Sequence, residues 1–243
     1  MRFLLLDVGN TRLKWTLSDG DRLGEVAAVM HRGDPAAALR ALPKLPLDAI
    51  WISNVAGEAA GKQLAAALRA RYRLAPHFAL VEKRRAGLTV AYRDARRLGV
   101  DRWLALLAGW RRVGGAFCVG GCGTALTFDA VDARGRHRGG IIAPGLRAAQ
   151  DAVRATTRFP LRAAAAPYAR GLGRDPESCV RQGALHAAAG ALERLAARYA
   201  PQAPCLLTGG DAPLLRRALG RAWQLRPHLV LEGLSVLAAE EAE

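Results

Sequence analysis

Four cysteines, two methionines and an aromatic content of 6 % leave this 243-residue chain short of the residues that staple, ligate or stack. Cys118, Cys122, Cys179 and Cys205 lack the paired short spacings of a zinc site, and a chain of this length does not need disulfides to fold, so reduced, packed thiols are expected. No uncharged apolar run reaches the ~18 residues of a membrane span. The opening run Phe3 to Leu6 is cut by Asp7, which excludes a signal-peptide core and makes the cytoplasm the expected location, with no membrane partner. His31, His77, His137, His186 and His228 form no ligand spacing such as H-E-x-x-H, and read as surface or satisfied core residues. The Walker pattern G-x-x-x-x-G-K-[ST] is also missing.

Acidic residues are outnumbered, leaving a formal net charge of +15. Such a balance attracts nucleic acid, anionic membrane or an anionic small molecule. Lys14, Lys44, Lys62 and Lys83 are the only lysines, and the arginines are dispersed through Ala-rich and Leu-rich segments. Dispersed arginines with scattered aromatics describe a solvated surface better than a nucleic-acid footprint.

What is present is apolar patterning, 51 % of the chain, enough for a full core. Residues 2 to 8 read as a strand, followed by a polar turn and a returning strand, Arg12 to Ser18, which ends at Asp19-Gly20-Asp21. Ala49 to Asn54 and His77 to Val81 read as strands, Glu58 to Tyr72 as a helix, Leu88 to Arg97 as a loop and Asp101 to Trp110 as the start of an apolar helix. The pattern then restarts with Ala116 to Gly121, a Gly-rich turn, Ala125 to Val131 and Arg138 to Ala143, with a helix from Leu146. A helix over Ser178 to Ala200, a strand over Cys205 to Thr208, a helix from Ala212, a short strand over Leu229 to Leu231 and a last helix over Leu234 to Glu241 complete it. Glu240, Glu241 and Glu243 read as a solvated, frayed end. Two α/β lobes are expected, over residues 1–113 and 114–243, each opening with strand, small-residue turn holding a Thr, and strand.

Three segments carry chemistry. In Asp7-Val8-Gly9-Asn10-Thr11 with Lys14, glycine lets backbone approach a phosphate, Asn10 and Thr11 supply donors, Asp7 can hold Mg²⁺ and the Lys14 ammonium can reach a phosphate. An ordinary Asn-containing hairpin explains the same residues equally well. Gly121-Cys122-Gly123-Thr124 repeats the arrangement, so two hairpins are expected to grip a nucleotide's phosphates. Asp101-Arg102 offers a carboxylate to take a hydroxyl proton and a cation to offset spreading charge. Spacing alone favours a plain helix start for that pair.

Taken in order, Asp7-Val8-Gly9-Asn10-Thr11-Arg12-Leu13-Lys14, Leu98-Gly99-Val100-Asp101-Arg102-Trp103 and Gly123-Thr124-Ala125-Leu126-Thr127-Phe128-Asp129 resemble the type III pantothenate kinases, also called Bvg accessory factor homologues. The likeness continues through Gly139 to Gly145, Leu207 to Gly210 and Leu229 to Leu234, so it spans the chain. It implies an α/β fold of two ribonuclease-H-like lobes of the acetate and sugar kinase, Hsc70 and actin superfamily, working as a homodimer on pantothenate and ATP. By position, Asp7, Val8, Gly9, Asn10, Thr11, Arg12, Leu13, Lys14, Gly123 and Thr124 would bind ATP, and Asp101 would be the catalytic proton acceptor. Tyr92, Gly99, Val100, Asp101 and Arg102 would line the pantothenate site, with Asp7 toward Mg²⁺. A monovalent cation, K⁺ or NH₄⁺, is also implied.

Two positions depart from that pattern. The family often has an acid where Gly121 stands, so a cation site here would rest on carbonyls and Asp129. It commonly has a Thr, reaching pantothenate from the neighbouring subunit, where Pro176 stands; proline donates no such bond, which leaves Asp175 or Ser178 to compensate. With the charge of +15, these departures motivate a competing reading, a weakened kinase relative acting as a regulatory or nucleic-acid-binding accessory protein. A kinase of the same superfamily with a different small acceptor is a third.

Overall fold

The computed structural model describes every residue except 21, 32, 159–166, 221, 242 and 243. The turn residue Asp21 and the terminal Glu243 therefore lie outside the described residues. Two compact units result, one of residues 1–112 with 228–243 and the other of residues 113–227.

In the first unit, β1 (Arg2–Val8) and β2 (Arg12–Asp19) form an antiparallel hairpin, extended at the edge by β3 (Arg22–Leu23) and β4 (Ala27–Met30), both paired with β2. On the other side of β1 lie β5 (Ala49–Asn54) and β6 (His77–Phe78), both parallel. The continuous apolar run of β1 follows from burial on two faces. Leu4, Leu6 and Val8 join a core with residues of α1 (Pro35–Ala38) and α2 (Glu58–Tyr72). The alternate residues Phe3, Leu5 and Asp7 therefore point to the opposite face. A small hairpin, β7 (Arg84–Arg85) with β8 (Leu88–Thr89), precedes α3 (Val100–Val113), whose residues 102 to 109 are all buried, as expected for a helix apolar around its circumference.

The second unit repeats the strand order. Its sheet runs β11 (His137–Pro144), β10 (Ala125–Val131), β9 (Phe117–Cys122), β12 (Cys205–Thr208), β13 (Trp223–Leu225), with β9, β10 and β11 antiparallel and β12 and β13 parallel. With the extra edge strand β4 left out, both sheets therefore read third, second, first, fourth, fifth strand. α4 (Leu146–Thr156), α5 (Pro176–Tyr199) and α6 (Ala212–Ala218) complete this unit, and the core gathers Leu126, Phe128, Leu185, Leu192 and Leu207.

The chain ends in α7 (Leu229–Glu240), which packs on β1, β2 and β5. This corrects two expectations. Residues 228–243 belong with the first unit rather than with a second lobe of 114–243. Leu229 to Leu231 is the first turn of a helix, not a strand, because a three-residue apolar run fits either and here Leu229, Leu231, Leu234 and Leu237 are buried together. The strand expected to reach Val81 stops at Phe78, and Leu80 is 75 % exposed. Nor are Glu240 and Glu241 frayed. Arg85 Nε donates to Glu240 at 2.7 Å and Arg85 Nη1 to Glu241 at 2.8 Å, tying α7 to the β7 strand.

Gly233 lets α7 approach α3, for a side chain there would overlap the carbonyl of Leu104. Gly233→Ala is expected to lower unfolding free energy by about 1–3 kcal/mol, the scale of overpacking, as read by urea denaturation.

Candidate active site

The hairpin register sets the first element of the site. Asp7 on β1 stands opposite Lys14 on β2, and Asp7 also neighbours Ser53 on β5 in the parallel register. Cross-strand partners share a face. It is the face covered by α7, because Ser18, two pairs further along the same face as Lys14 and Thr16, meets Ser235 of α7 at 3.1 Å. From Ser235 back to His228 the helix rises about 10 Å, close to the ~13 Å that separates Ser18 from Lys14 along a strand. His228, the N-cap residue of α7, thus comes level with Lys14.

Electrostatics report the same neighbourhood. Asp7 keeps some exposure as a residue, yet its carboxyl is deep in protein, and burial pushes it up to about 6, against the lowering pull of Lys14 and with a further push from the charge of Asp101. The Ser53 hydroxyl favours the carboxylate more weakly, and its oxygen closes no hydrogen bond of normal length. Burial, then the charge of Lys14, holds His228 below its ordinary value, with Glu232 opposing, and the buried Nδ1 of His228 has no hydrogen-bond partner among the described residues.

Asp101 lies in the first turn of α3, where the helix dipole favours a negative charge. Its Oδ1 accepts from the backbone N–H of Arg102 at 2.8 Å and rests where a side chain on Gly99 would project, 2.6 Å from that position. Glycine at 99 is what admits this carboxylate position. Arg102 is buried, and its Nη1 donates to the Tyr92 hydroxyl at 3.3 Å, while Lys83 Nζ holds the Tyr92 carbonyl at 2.6 Å. Val100 opens the helix. Tyr92 and residues 99 to 102 are therefore brought together.

The hairpin tip divides into two kinds of residue. Val8 and Leu13 are fully buried in the core, so they offer a ligand backbone only; Asn10, Thr11 and Arg12 are exposed. The Gly9 N–H closes the turn on the Arg12 carbonyl at 3.1 Å.

In the second unit, Gly123 and Thr124 form the two-residue link between β9 and β10, and the Gly145 N–H donates to the Thr124 carbonyl at 3.2 Å. The turn after β12 lies beside them. Gly209, with φ of 102°, packs on the backbone of Cys122, and the Asp211 N–H donates to the Cys122 carbonyl at 3.0 Å. Burial, with the charge of Asp211 adding to it, pushes the Cys122 thiol up to about 12, so it is unreactive.

Gly121 and Asp129 do not fit a monovalent cation site. The Thr127 hydroxyl fills the place where a side chain on Gly121 would begin, and the Asp129 carboxylate is buried against His137 Nε2 at 2.9 Å. Among the described residues no group of three or more His, Cys, Asp or Glu side chains could hold a metal ion. Pro176 is the first residue of α5, and its neighbours are committed to the cap: the Ser178 N–H donates to Asp175 Oδ1 at 2.8 Å while the Ser178 hydroxyl oxygen accepts from the Asp175 and Arg174 N–H groups. Both are thus engaged in a capping box at the head of α5.

The family model of the type III pantothenate kinases matches residues 3–198. The chain belongs to that family. It is 39 % identical over 241 residues to the type III pantothenate kinase of Dechloromonas aromatica, covering 96 % of this chain and 97 % of the relative. To that of Alcanivorax borkumensis it is 36 % identical over 253 residues, covering 98 % and 99 %. Among solved structures, component A of the (R)-2-hydroxyglutaryl-CoA dehydratase of Acidaminococcus fermentans superposes with a TM-score of 0.61 at 14 % identity, covering 100 % of this chain and 99 % of that one. That likeness shows the fold, two ribonuclease-H-like α/β units. As a type III pantothenate kinase family member the chain is a phosphotransferase, and the match lends nothing to the accessory-protein alternative.

His31 and His228 were legible only as unassigned histidines, since neither belongs to a motif; strand pairing and helix packing bring them to the hairpin. For this kinase family member, the buried Asp7 has a thermodynamic signature. Between the ordinary 3.8 and about 6 the unfolded chain releases its proton first, so stability falls as pH rises, and above 6 the folded state bears the full cost. Asp7→Asn is expected to raise stability near neutral pH by about 2–3 kcal/mol, to lose that gain in acid, and to lower phosphotransfer. Melting curves across pH, with a turnover assay, read both.

Proposed function

We infer that this chain transfers the terminal phosphoryl group of ATP to the hydroxyl of pantothenate, giving 4'-phosphopantothenate, the first step towards coenzyme A. The single observation that carries the reading is that Asp7, opposite Lys14 in the first hairpin, lies near enough to Asp101 to feel its charge. A loose phosphoryl-transfer transition state asks mainly for charge neutralisation and positioning. Lys14 and the N–H groups of the Gly9–Thr11 tip supply positive character for the phosphates, and Gly123-Thr124 is the equivalent turn of the second unit. Asp101, whose Oδ1 is fixed by the Arg102 N–H, takes the proton of the attacking hydroxyl. Arg102, buried and steadied by Tyr92, gives the pantothenate carboxylate a two-pronged partner.

Two carboxylates within reach of each other's charge, one pushed up by burial, suit a divalent cation, which relieves the cost of ionising Asp7. Asp7, with Asp101 beside it, would hold Mg²⁺; bound there, Mg²⁺ neutralises phosphate charge. Gly121 and Asp129 offer K⁺ or NH₄⁺ no carboxylate free of another partner. Pairing of two copies belongs to the same proposal, supported by the exposed apolar side chains Ile142 and Val153. Among the described residues no helix is long and apolar enough to cross a membrane, in keeping with work in the cytoplasm.

Coupled ADP release should depend on added pantothenate. Asp101→Asn should lower kcat by about 100-fold or more, the range of general-base contributions, and Asp7→Ala by at least as much. Full turnover of Asp101→Asn removes that residue from the mechanism; ADP release indifferent to pantothenate refutes the substrate.

A further inference from the structure

We propose that His31 is a positioning residue for the nucleotide, holding the Gly9-Asn10 peptide so that the Asn10 N–H faces the phosphates. This rests on the reading of the Gly9–Thr11 hairpin as the phosphate-binding turn. His31 follows β4, whose last residue Met30 pairs with Arg12, so the strand delivers the imidazole beneath the hairpin tip. The residue is 6 % exposed. Its hydrogen bonds fix its protonation pattern. The Gly33 N–H can only donate, and it donates to Nδ1 at 3.2 Å, so Nδ1 is the bare nitrogen. Nε2 then carries the hydrogen and donates to the Gly9 carbonyl at 2.8 Å. The His31 backbone N–H takes the second carbonyl of the tip, that of Thr11, at 3.3 Å, and the Asp34 N–H anchors the His31 carbonyl at 2.7 Å.

A trans peptide is planar, with its carbonyl and N–H pointing in opposite directions. Drawing the Gly9 carbonyl towards His31 therefore turns the Asn10 N–H away from His31. Without that hydrogen bond a peptide next to glycine is free to flip, since glycine tolerates either orientation.

Two near-isosteric replacements separate positioning from mere packing. His31→Gln keeps a donor at the Nε2 place and loses the acceptor for Gly33; His31→Asn keeps the acceptor and loses the donor to Gly9. Positioning requires His31→Gln to hold KM for ATP close to the parent value and His31→Asn to raise it about 10-fold, the scale of one buried hydrogen bond, with KM for pantothenate unchanged. The reverse ranking, or equal rises in both constants together with a lowered melting temperature, overturns the proposal. Lys14→Ala tests the underlying reading. If it raises KM for ATP while His31→Asn does not, the His31 proposal alone falls; if neither does, the hairpin is not the phosphate site and both fall. Should His31→Asn fail to fold, nitrogen-15 NMR of the intact protein decides: an Nε2–H tautomer whose signal moves on adding a non-hydrolysable ATP analogue supports the proposal, and an Nδ1–H tautomer overturns it.

Discussion

The register between the first two strands is the constraint on which the rest depends. Once Asp7 faces Lys14 and the residues between them close a three-residue tip, a carboxylate is committed to the interior face of the sheet. No core gains from a carboxyl held there against its solvation. The unit accepts it because the flanking residues Leu4, Leu6, Val8 and Leu13 are packed to zero exposure on the opposite face, so a slip by one position would take them out of that core and drive the carboxyl into it. The charge is held where it is by apolar packing on the opposite face. The same register aligns Lys14 with the start of α7, which brings His228 to a place that nothing in its sequence neighbourhood announces.

Much of this architecture could be read from residue pattern. β5 over Ala49–Asn54, α2 over Glu58–Tyr72, β10 over Ala125–Val131 and β12 over Cys205–Thr208 fall where apolar runs and turn residues put them. The two hairpins with their Gly and Thr residues, and the acid at the head of α3, were visible as motifs. What escaped depended on contacts distant in sequence. Leu229 to Leu231 looks like a strand until the helix it opens is seen lying across β1 and β2. Glu240 and Glu241 look solvated until Arg85, some 155 residues earlier, is found between them. Gly121 and Asp129 suggested an ion site by position, but Asp129 has a buried imidazole for a partner, and an isolated carboxylate in sequence cannot disclose that. His31 is the clearest case, because its role depends on which of two ring nitrogens meets which backbone group.

The two units solve one problem with the same topology and different details. Each uses an antiparallel hairpin beside parallel strands, and in each a later segment stabilises the hairpin turn through backbone groups. In the first, His31 takes the carbonyls of Gly9 and Thr11; in the second, the N–H of Gly145 takes the carbonyl of Thr124 and the turn at Gly209 closes on Cys122. Glycine can do in the second unit what a side chain does in the first because its backbone can come close enough. The arginine excess belongs to neither device: Arg85 and Arg112 hold α7, Arg102 meets Tyr92, and others pair locally, as Arg96 does with Asp94 and Arg154 with Asp151.

The return of residues 228–243 to the first unit has a consequence for how the polypeptide is made. A ribosome releases chain from its amino end, so residues 113–227 emerge complete while the sheet that began the chain still lacks the helix that covers one of its faces. The half begun first is finished last, and the face of Leu5 and the buried Asp7 waits for its covering helix until residues 229–240 have been made.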